Sequence, residues 1–352
     1  MGGPIQPSDD ALCTVFSDLG LVTSSRVMMP VLRQAWKAAY VSDITLLIEG
    51  ETGTGKQVLA HGIHCLDQKR RNYPFVTVHC GTINESLAES ELFGHERGAF
   101  SGAVGERKGL FLAANRGTIF LDDVNDLPLT LQPKLLDVLQ RGVIRAVGSD
   151  KEIRVDVRVI SACNQPLAPL VEAKRIREDL YHRLNVVKLS LPPLRERKSD
   201  LCGLVLACAA RHRGIYGEVK SVDPALIQFL EGQQFLGNIR ELEHAVERAL
   251  FAKTEGICLT LGDWMGGTEA MVAPCEWARV AAGALLHAVF ERGLPYASAL
   301  QEVEHALLGL AIDQGIHTRR ELASRLQTSE RTLYQKLRSH KLSRVSATRQ
   351  SA

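Results

Sequence analysis

Between about residues 25 and 190, short apolar runs rich in β-branched residues alternate with stretches whose apolar positions recur every three or four residues. The runs are Ile44–Ile48, Phe75–Val78, Thr118–Leu121 and Val157–Ser161. Each ends at a turn or at the start of a helical pattern, which predicts the strands of a mostly parallel sheet with helices between them. From residue 195 to about 255 such runs disappear, and Leu, Ala and Val at spacings of three and four predict a small helical unit. The stretch from Gly262 to Pro274 holds three glycines and a proline with little periodicity and reads as a linker. A final helical block runs from about residue 276 to the end.

The chain has 352 residues, 45% of them hydrophobic and 23% charged, the balance of an ordinary globular protein of two or three domains. The longest apolar run, near Leu201 to Ala210, is half a membrane span. Met1 to Asp10 lacks the basic cluster and apolar core of a secretory leader. No membrane is therefore expected as a partner. The eight cysteines form no Cys-x-x-Cys pair and lie mostly in apolar stretches, which predicts reduced thiols and a cytoplasmic location. The net charge of +2 hides a division: residues 315–352 carry nine Lys/Arg against two Asp/Glu, a local balance of +7, leaving about −5 for the rest. A weakly acidic body with a basic tail implies an acidic partner for the tail.

Two motifs carry chemistry. The first predicted strand runs into Gly50, Glu51, Thr52, Gly53, Thr54, Gly55 and Lys56, followed by an apolar helix. Glycines so spaced let backbone N–H groups face phosphate oxygens, the helix N-terminus adds partial positive charge, and the lysine reaches the outer phosphates. Where Ser or Thr usually follows the lysine to hold Mg²⁺, this chain has Gln57. The second motif is an apolar strand ending in Asp122 and Asp123, one carboxylate placed to hold Mg²⁺ and its neighbour to orient attacking water. Together they point to hydrolysis of a nucleoside triphosphate, with ATP and Mg²⁺ as cofactors.

The segment Glu89–Arg97 and the loop Gly98, Ala99, Phe100, Ser101, Gly102 and Ala103 closely resemble the signature of bacterial AAA+ activators of sigma-54 RNA polymerase. So do the blocks Arg177–Val186, Leu191–Arg197 and Gly237–Leu242, and the likeness spans about residues 18 to 255. The resemblance implies an α/β AAA+ P-loop ATPase core of mostly parallel sheet, a helical lid and a C-terminal all-α helix-turn-helix. It implies a division into 1–18, an N-terminal segment; 19–192, the α/β part; 193–257, the lid; 258–295, a linker region; and 296–352, a Fis-type DNA-binding domain. It further implies that Asp122 binds the metal, Asp123 polarises water and Asn164 senses the γ-phosphate. Arg177 and Arg183 would be arginine fingers reaching a neighbouring subunit's nucleotide, and Arg240 would contact the phosphates within its own subunit. On the residues alone, Arg177 and Arg183 read rather as surface partners of Glu178 and Asp179. Loop residues 98–103, with Phe100 at the tip, would contact sigma-54, and a second insertion near Arg141–Gly148 would lie beside them in the pore of a ring, hexameric by resemblance.

The chain departs from the family pattern at several positions. Ser101 replaces Thr, and Asp123 replaces a Glu one methylene longer. His79 stands where the family has an Asn that hydrogen-bonds that Glu. These changes predict slow or differently coupled hydrolysis. About 20 residues precede the core, so control is expected from a partner protein, a related subunit or expression level.

In the tail, Thr318 and Glu321 form a capping box, with Leu322, Ala323 and Leu326 on one face. A second helix starting near Ser329 buries Leu333, Tyr334 and Leu337 and turns Glu330, Arg331, Gln335, Lys336 and Arg338 outward. Two short helices with a basic second one read as a helix-turn-helix entering the major groove, and resemblance to the Fis type adds Ser329, Thr332 and the other exposed residues as DNA contacts. The turn has Gln327 where the family prefers Gly, at a cost of about 1 kcal/mol if φ is positive. Upstream, Leu300, Val303, Leu307 and Leu310 form a stripe that pairs two tails or packs within one. The whole reads as an ATP-driven activator that binds upstream double-stranded DNA and remodels sigma-54 polymerase. The rival is a DNA-binding regulator with a vestigial ATPase.

Overall fold

The computed structural model describes residues 7–82, 85–100, 103, 105–253, 256–266, 295–313 and 330–339. It divides into two compact units, 1–270 and 271–352.

The first unit is built on five parallel strands: β1 (Leu46–Glu49), β2 (Phe75–His79), β3 (Thr118–Asp122), β4 (Arg158–Cys163) and β5 (Val187–Ser190). Their order in the sheet is β2-β3-β4-β1-β5. The near-continuous apolar runs follow from burial on both faces. Side chains alternate between the faces: Leu47, Ile119, Leu121 and Val159 join one core with Val78, Phe93 and Phe111. Leu46, Ile48, Phe120 and Ile160 join the other with Phe16, Leu32 and Leu59. Helices α1 (Asp9–Asp18), α2 (Met29–Ala39) and α3 (Lys56–Leu66) supply much of that second layer. β5 has no counterpart among the predicted strands. It lies at the sheet edge with Lys188 and Ser190 exposed, so it never presents the apolar run that marks a strand buried on both faces.

At the amino ends of the strands, Arg158 and Asp67 are both completely buried and meet at 2.7 Å. Arg158 also donates to the Ala38 carbonyl at 2.7 Å. Beside them the buried Arg70 donates to Asp43 and Asp156 at 2.7 and 2.6 Å and to the carbonyls of Gly117 and Asp156 at 3.1 Å.

Two antiparallel ribbons interrupt the α/β pattern, one pairing Gly94–His95 with Arg107–Lys108 and the other Val143–Arg145 with Glu152–Arg154. They are stitched together: the Val147 amide donates to Gly94 and the Glu96 amide to Val147, at 2.8 and 3.0 Å. The insertion near Arg141–Gly148 thus lies against the root of the Phe100 loop.

After β5 the chain forms a helical part whose longest members, Leu201–Arg211, Pro224–Glu231 and Asn238–Ala252, pack around Leu204, Val205, Leu226, Leu230, Leu242, Val246 and Trp264. One feature differs from the purely helical expectation: Ser221–Val222 and Cys258–Leu259 form a two-residue parallel pair. Pairs this short carry no readable alternation.

In the second unit, helices Tyr296–Asp313 and Glu330–Ser339 are described. Leu333 and Leu337 are buried as the stripe predicts, and so is Leu308, whereas Leu300 and Val303 are exposed. The capping box at Thr318–Glu321 and the turn at Gln327 lie outside the described residues. Seven cysteines are described and all are free thiols; burial pushes Cys80 and Cys163 up to about 12.

Candidate nucleotide site

The carboxyl ends of β1 and β3 deliver both chemical motifs to one cavity of about 310 Å³. Its wall includes Thr52, Gly53, Thr54, Gly55, Lys56, Gln57, Asp122, Asp123 and Arg240, so residues far apart in the chain meet as the motifs require. Gly53 and Gly55 adopt φ of 79° and 101°, which side chains rarely tolerate, and Gly55 opens α3. Lys56 is buried, and its Nζ donates to the carbonyls of Gly50 and Glu51 at 2.7 and 3.2 Å. Burial pulls its pKa below the ordinary lysine value, against the opposing charges of Asp122 and Asp123. A cation satisfied only by two neutral carbonyls is poised to exchange them for phosphate oxygens.

Asp123 sits in the left-handed region at φ 50°, a conformation that costs a non-glycine residue about 1 kcal/mol. Burial, and then the charge of Asp122, raise its pKa above the usual carboxylate value. His79 closes β2 beside both acids, near enough for its charge to act on Asp123. Strand pairing sets it opposite Asp122, and its Nδ1 lies 3.3 Å from Asp122 Oδ2. A cross-strand neighbour in register meets the last strand residue first.

Magnesium coordinates readily through one or two carboxylates together with substrate phosphates and water. Asp122, half-buried and lining the phosphate cavity, fits that donor set; Gln57, exposed, brings no hydroxyl. Among the described residues no cluster of three or more His, Cys, Asp or Glu forms an all-protein metal site.

Asn164 directly follows β4 and is half-buried. Arg177 caps the helix Glu178–Leu184 and pairs with Asp179 at 2.7 Å. Arg183, exposed, donates to the Leu139 carbonyl at 3.2 Å. Neither arginine lines the cavity of its own chain. Phe100 is 39% exposed, its ring edge-on to His95 with centroids 5.1 Å apart, and the Ser90 hydroxyl lies 2.6 Å from His95 Nδ1. Gly98 and Ala99 share this loop, Ala103 is buried, and Ser101 and Gly102 lie outside the described residues. In the tail helix Lys336 is exposed and ion-paired with Glu304. Ser329 lies outside the described residues, and Arg331, Thr332 and Gln335 are placed only as positions on that helix.

Part of the wall comes from outside the two chemical motifs. Gly20, Leu21, Val22, Leu204, Ala207 and Ile239 close one side of the cavity, and Arg197, Arg211 and Glu243 add charge. They come from the loop before α2, the segment after β5 and the helical part; Arg197 and Ile239 fall inside blocks that carry the family resemblance, and the others fall in no motif.

Residues 21–190 match the sigma-54 interaction domain family, and residues 195–262 match the AAA+ ATPase lid domain. The chain is 47% identical over 218 residues to the sigma54-dependent transcriptional regulator SfnR of Pseudomonas fluorescens, covering 61% of this chain and 59% of that protein. It is 42% identical over 241 residues to the regulatory protein AtoC of Escherichia coli, covering 68% and 52%. The chain thus spans about half the length of the curated relatives it matches. Among solved structures, NtrX from Brucella abortus in complex with ATP aligns with a TM-score of 0.64 at 28% identity, over 91% of this chain and 69% of that one. A Thermotoga maritima RuvB mutant aligns at 0.50 and 13% identity over 92% and 89%, a likeness of fold. No helix among the described residues is long and apolar enough to cross a membrane. With the phosphate loop, the paired acids and both matched domains in one order, the chain carries a sigma-54 interaction domain followed by an AAA+ ATPase lid domain.

Proposed function

We propose that the protein is an ATP-hydrolysing transcription activator that binds upstream DNA through residues 296–352 and remodels sigma-54 polymerase from closed to open complex. The observation that carries this reading is the convergence of Lys56, Asp122, Asp123 and Arg240 on one cavity, in a chain that also projects Phe100. Lys56 releases its two carbonyls to bind the outer phosphates. Asp122 would hold Mg²⁺, which would supply charge neutralisation at the phosphates. Asp123 orients water and takes its proton, a role suited to a carboxyl whose pKa is raised. Arg177 and Arg183, exposed and away from their own cavity, serve a neighbouring subunit's nucleotide in a ring, hexameric by family resemblance. Guanidinium groups so placed contribute about 10³ or more in rate. Gly98–Ala103 with Phe100 engages sigma-54, and Ser329, Arg331, Thr332, Gln335 and Lys336 contact DNA. A large exposed ring on a narrow loop is unfavourable in water without a partner.

The test is open-complex formation by sigma-54 polymerase on a responsive promoter. Wild type with ATP is expected to melt it and Lys56→Ala is not; melting that survives the lysine change sinks the ATPase reading. Phe100→Ala is expected to keep ATP turnover and lose sigma-54 binding.

A second reading is favoured by one contact: His79 against Asp122 at 3.3 Å occupies an oxygen that the metal would use. In that reading the chain is a DNA-binding regulator or co-activator subunit with weak ATPase, acting beside a related subunit. Normal melting by wild type alone eliminates it.

A further inference from the structure

Four consecutive phosphate-loop residues are held by the segment that enters the helical part and by the first turn of its helix Asn238–Ala252. The Glu51 carboxylate takes both arms of the Arg195 guanidinium at 2.7 and 2.8 Å. The Thr52 carbonyl accepts from Asn238 Nδ2 at 3.0 Å, the Gly53 carbonyl from the Ile239 amide at 2.9 Å, and the Thr54 carbonyl from Arg197 Nη2 at 2.6 Å. A methyl placed on Gly53 would sit 2.2 Å from the Gly237 carbonyl, so the two backbones touch. Gly53 therefore serves this approach as well as the phosphates.

Asn238 is the centre of the arrangement. It is completely buried and left-handed, with φ 55°. Its second amide hydrogen reaches Glu51 Oε2 at 3.2 Å, and its Oδ1 accepts the Leu194 amide at 2.8 Å. One side chain thus ties the phosphate loop, the segment after β5 and the first turn of Asn238–Ala252. With both donors used and a well-formed acceptor contact, few other residues fit: Asn tolerates the left-handed turn, and its amide offers both kinds of group. Arg240 lies two residues on, in the same helical turn, and lines the cavity.

We propose that Asn238 is a positioning residue for nucleotide turnover, setting Arg240 against the phosphates by referencing its helix to the loop that holds them. When Lys56 exchanges the Gly50 and Glu51 carbonyls for nucleotide oxygens, any adjustment of the loop passes through Asn238 into the helical part. The inference rests on the ATP-hydrolysing reading above.

Asn238→Gly keeps the left-handed turn and removes only the side-chain bonds. ATP turnover is measured for wild type, Asn238→Gly, Arg240→Ala and the double variant, with amide hydrogen exchange over residues 51–54. Asn238→Gly is expected to lower kcat about tenfold with KM changed less than about threefold, and to add under about twofold on top of Arg240→Ala, because both act through one guanidinium. Loop exchange is expected to rise about tenfold or more. Arg195→Gln, at an exposed site, is a second variant should the first not fold, with a loss of about threefold expected. Turnover equal to wild type, or losses that multiply in the double variant, overturn the positioning role. Wild-type turnover no greater than that of Lys56→Ala overturns the ATPase reading instead. The Asn238 tie is then decided by exchange alone, and unchanged exchange at 51–54 overturns it.

Discussion

At the amino ends of the sheet, Arg158 and Arg70 are buried with carboxylates opposing their charge and carbonyls taking further hydrogen bonds, although Arg158 Nε is left without a partner. At the carboxyl ends, Lys56 is also buried, yet its partners are two carbonyls of its own loop, and the carboxylates that oppose it across the cavity are Asp122 and Asp123. Both ends put charge out of water. One compensates it within the fold, and the other leaves part of the compensation to a ligand. Buried charge by itself is therefore no marker of a site; what marks one is buried charge facing a cavity with incomplete partners.

The comparison breaks most visibly at the amino end. Asp67→Asn leaves Arg158 buried without its counter-charge and is expected to cost about 3–5 kcal/mol of stability, read by denaturant unfolding, with ATP turnover per folded molecule nearly unchanged. A loss of turnover at full folding would mean that the two ends are not separable. Lys56→Ala is the converse: turnover falls about 10²–10³-fold, while the melting temperature holds or rises, because an imperfectly compensated cation has gone. A sharp fall in melting temperature would show that Lys56 is structural after all.

Asp123 sharpens the contrast in smaller steps. Restoring the longer carboxylate, Asp123→Glu, is expected to raise ATP turnover about tenfold, roughly 1.4 kcal/mol in barrier. Equal rates would remove the shorter side chain as a cause of slow hydrolysis. For stability the sign is fixed by the raised pKa: a carboxyl that holds its proton more tightly folded than unfolded costs stability as it ionises with rising pH. Asp123→Asn is therefore expected to raise the melting temperature by about 2 °C at neutral pH. The gain should shrink as pH falls through the raised pKa, and a gain that grows on acidification would contradict the assignment.

How much of this was legible in the sequence depended on range. The four predicted strands form because strands buried on both faces read as apolar runs, and the phosphate loop was legible because strand, glycines, lysine and helix fall within about 25 residues. The edge strand Val187–Ser190 was not, since only Leu189 among its residues is fully buried. His79 shows a different limit: its contact with Asp122 follows from strand register, which a single strand's residues do not reveal. The wall built from Leu21, Leu204, Arg197 and Glu243 comes from segments up to about 220 residues apart, and no local pattern encodes their meeting. Asn238 lies inside the family-like block Gly237–Leu242, yet its left-handed backbone and its three partners belong to tertiary structure.

The stitched ribbons have a mechanical consequence. Because the Gly94 carbonyl and the Glu96 amide both bond Val147, the Phe100 loop stands on two roots, one from each insertion. A load applied at the aromatic tip divides between two hairpins, which resist torsion better than one stalk. Displacing either hairpin means shearing the bonds they share, so a push originating beneath one insertion reaches the tip as translation of the pair with little twist of the loop.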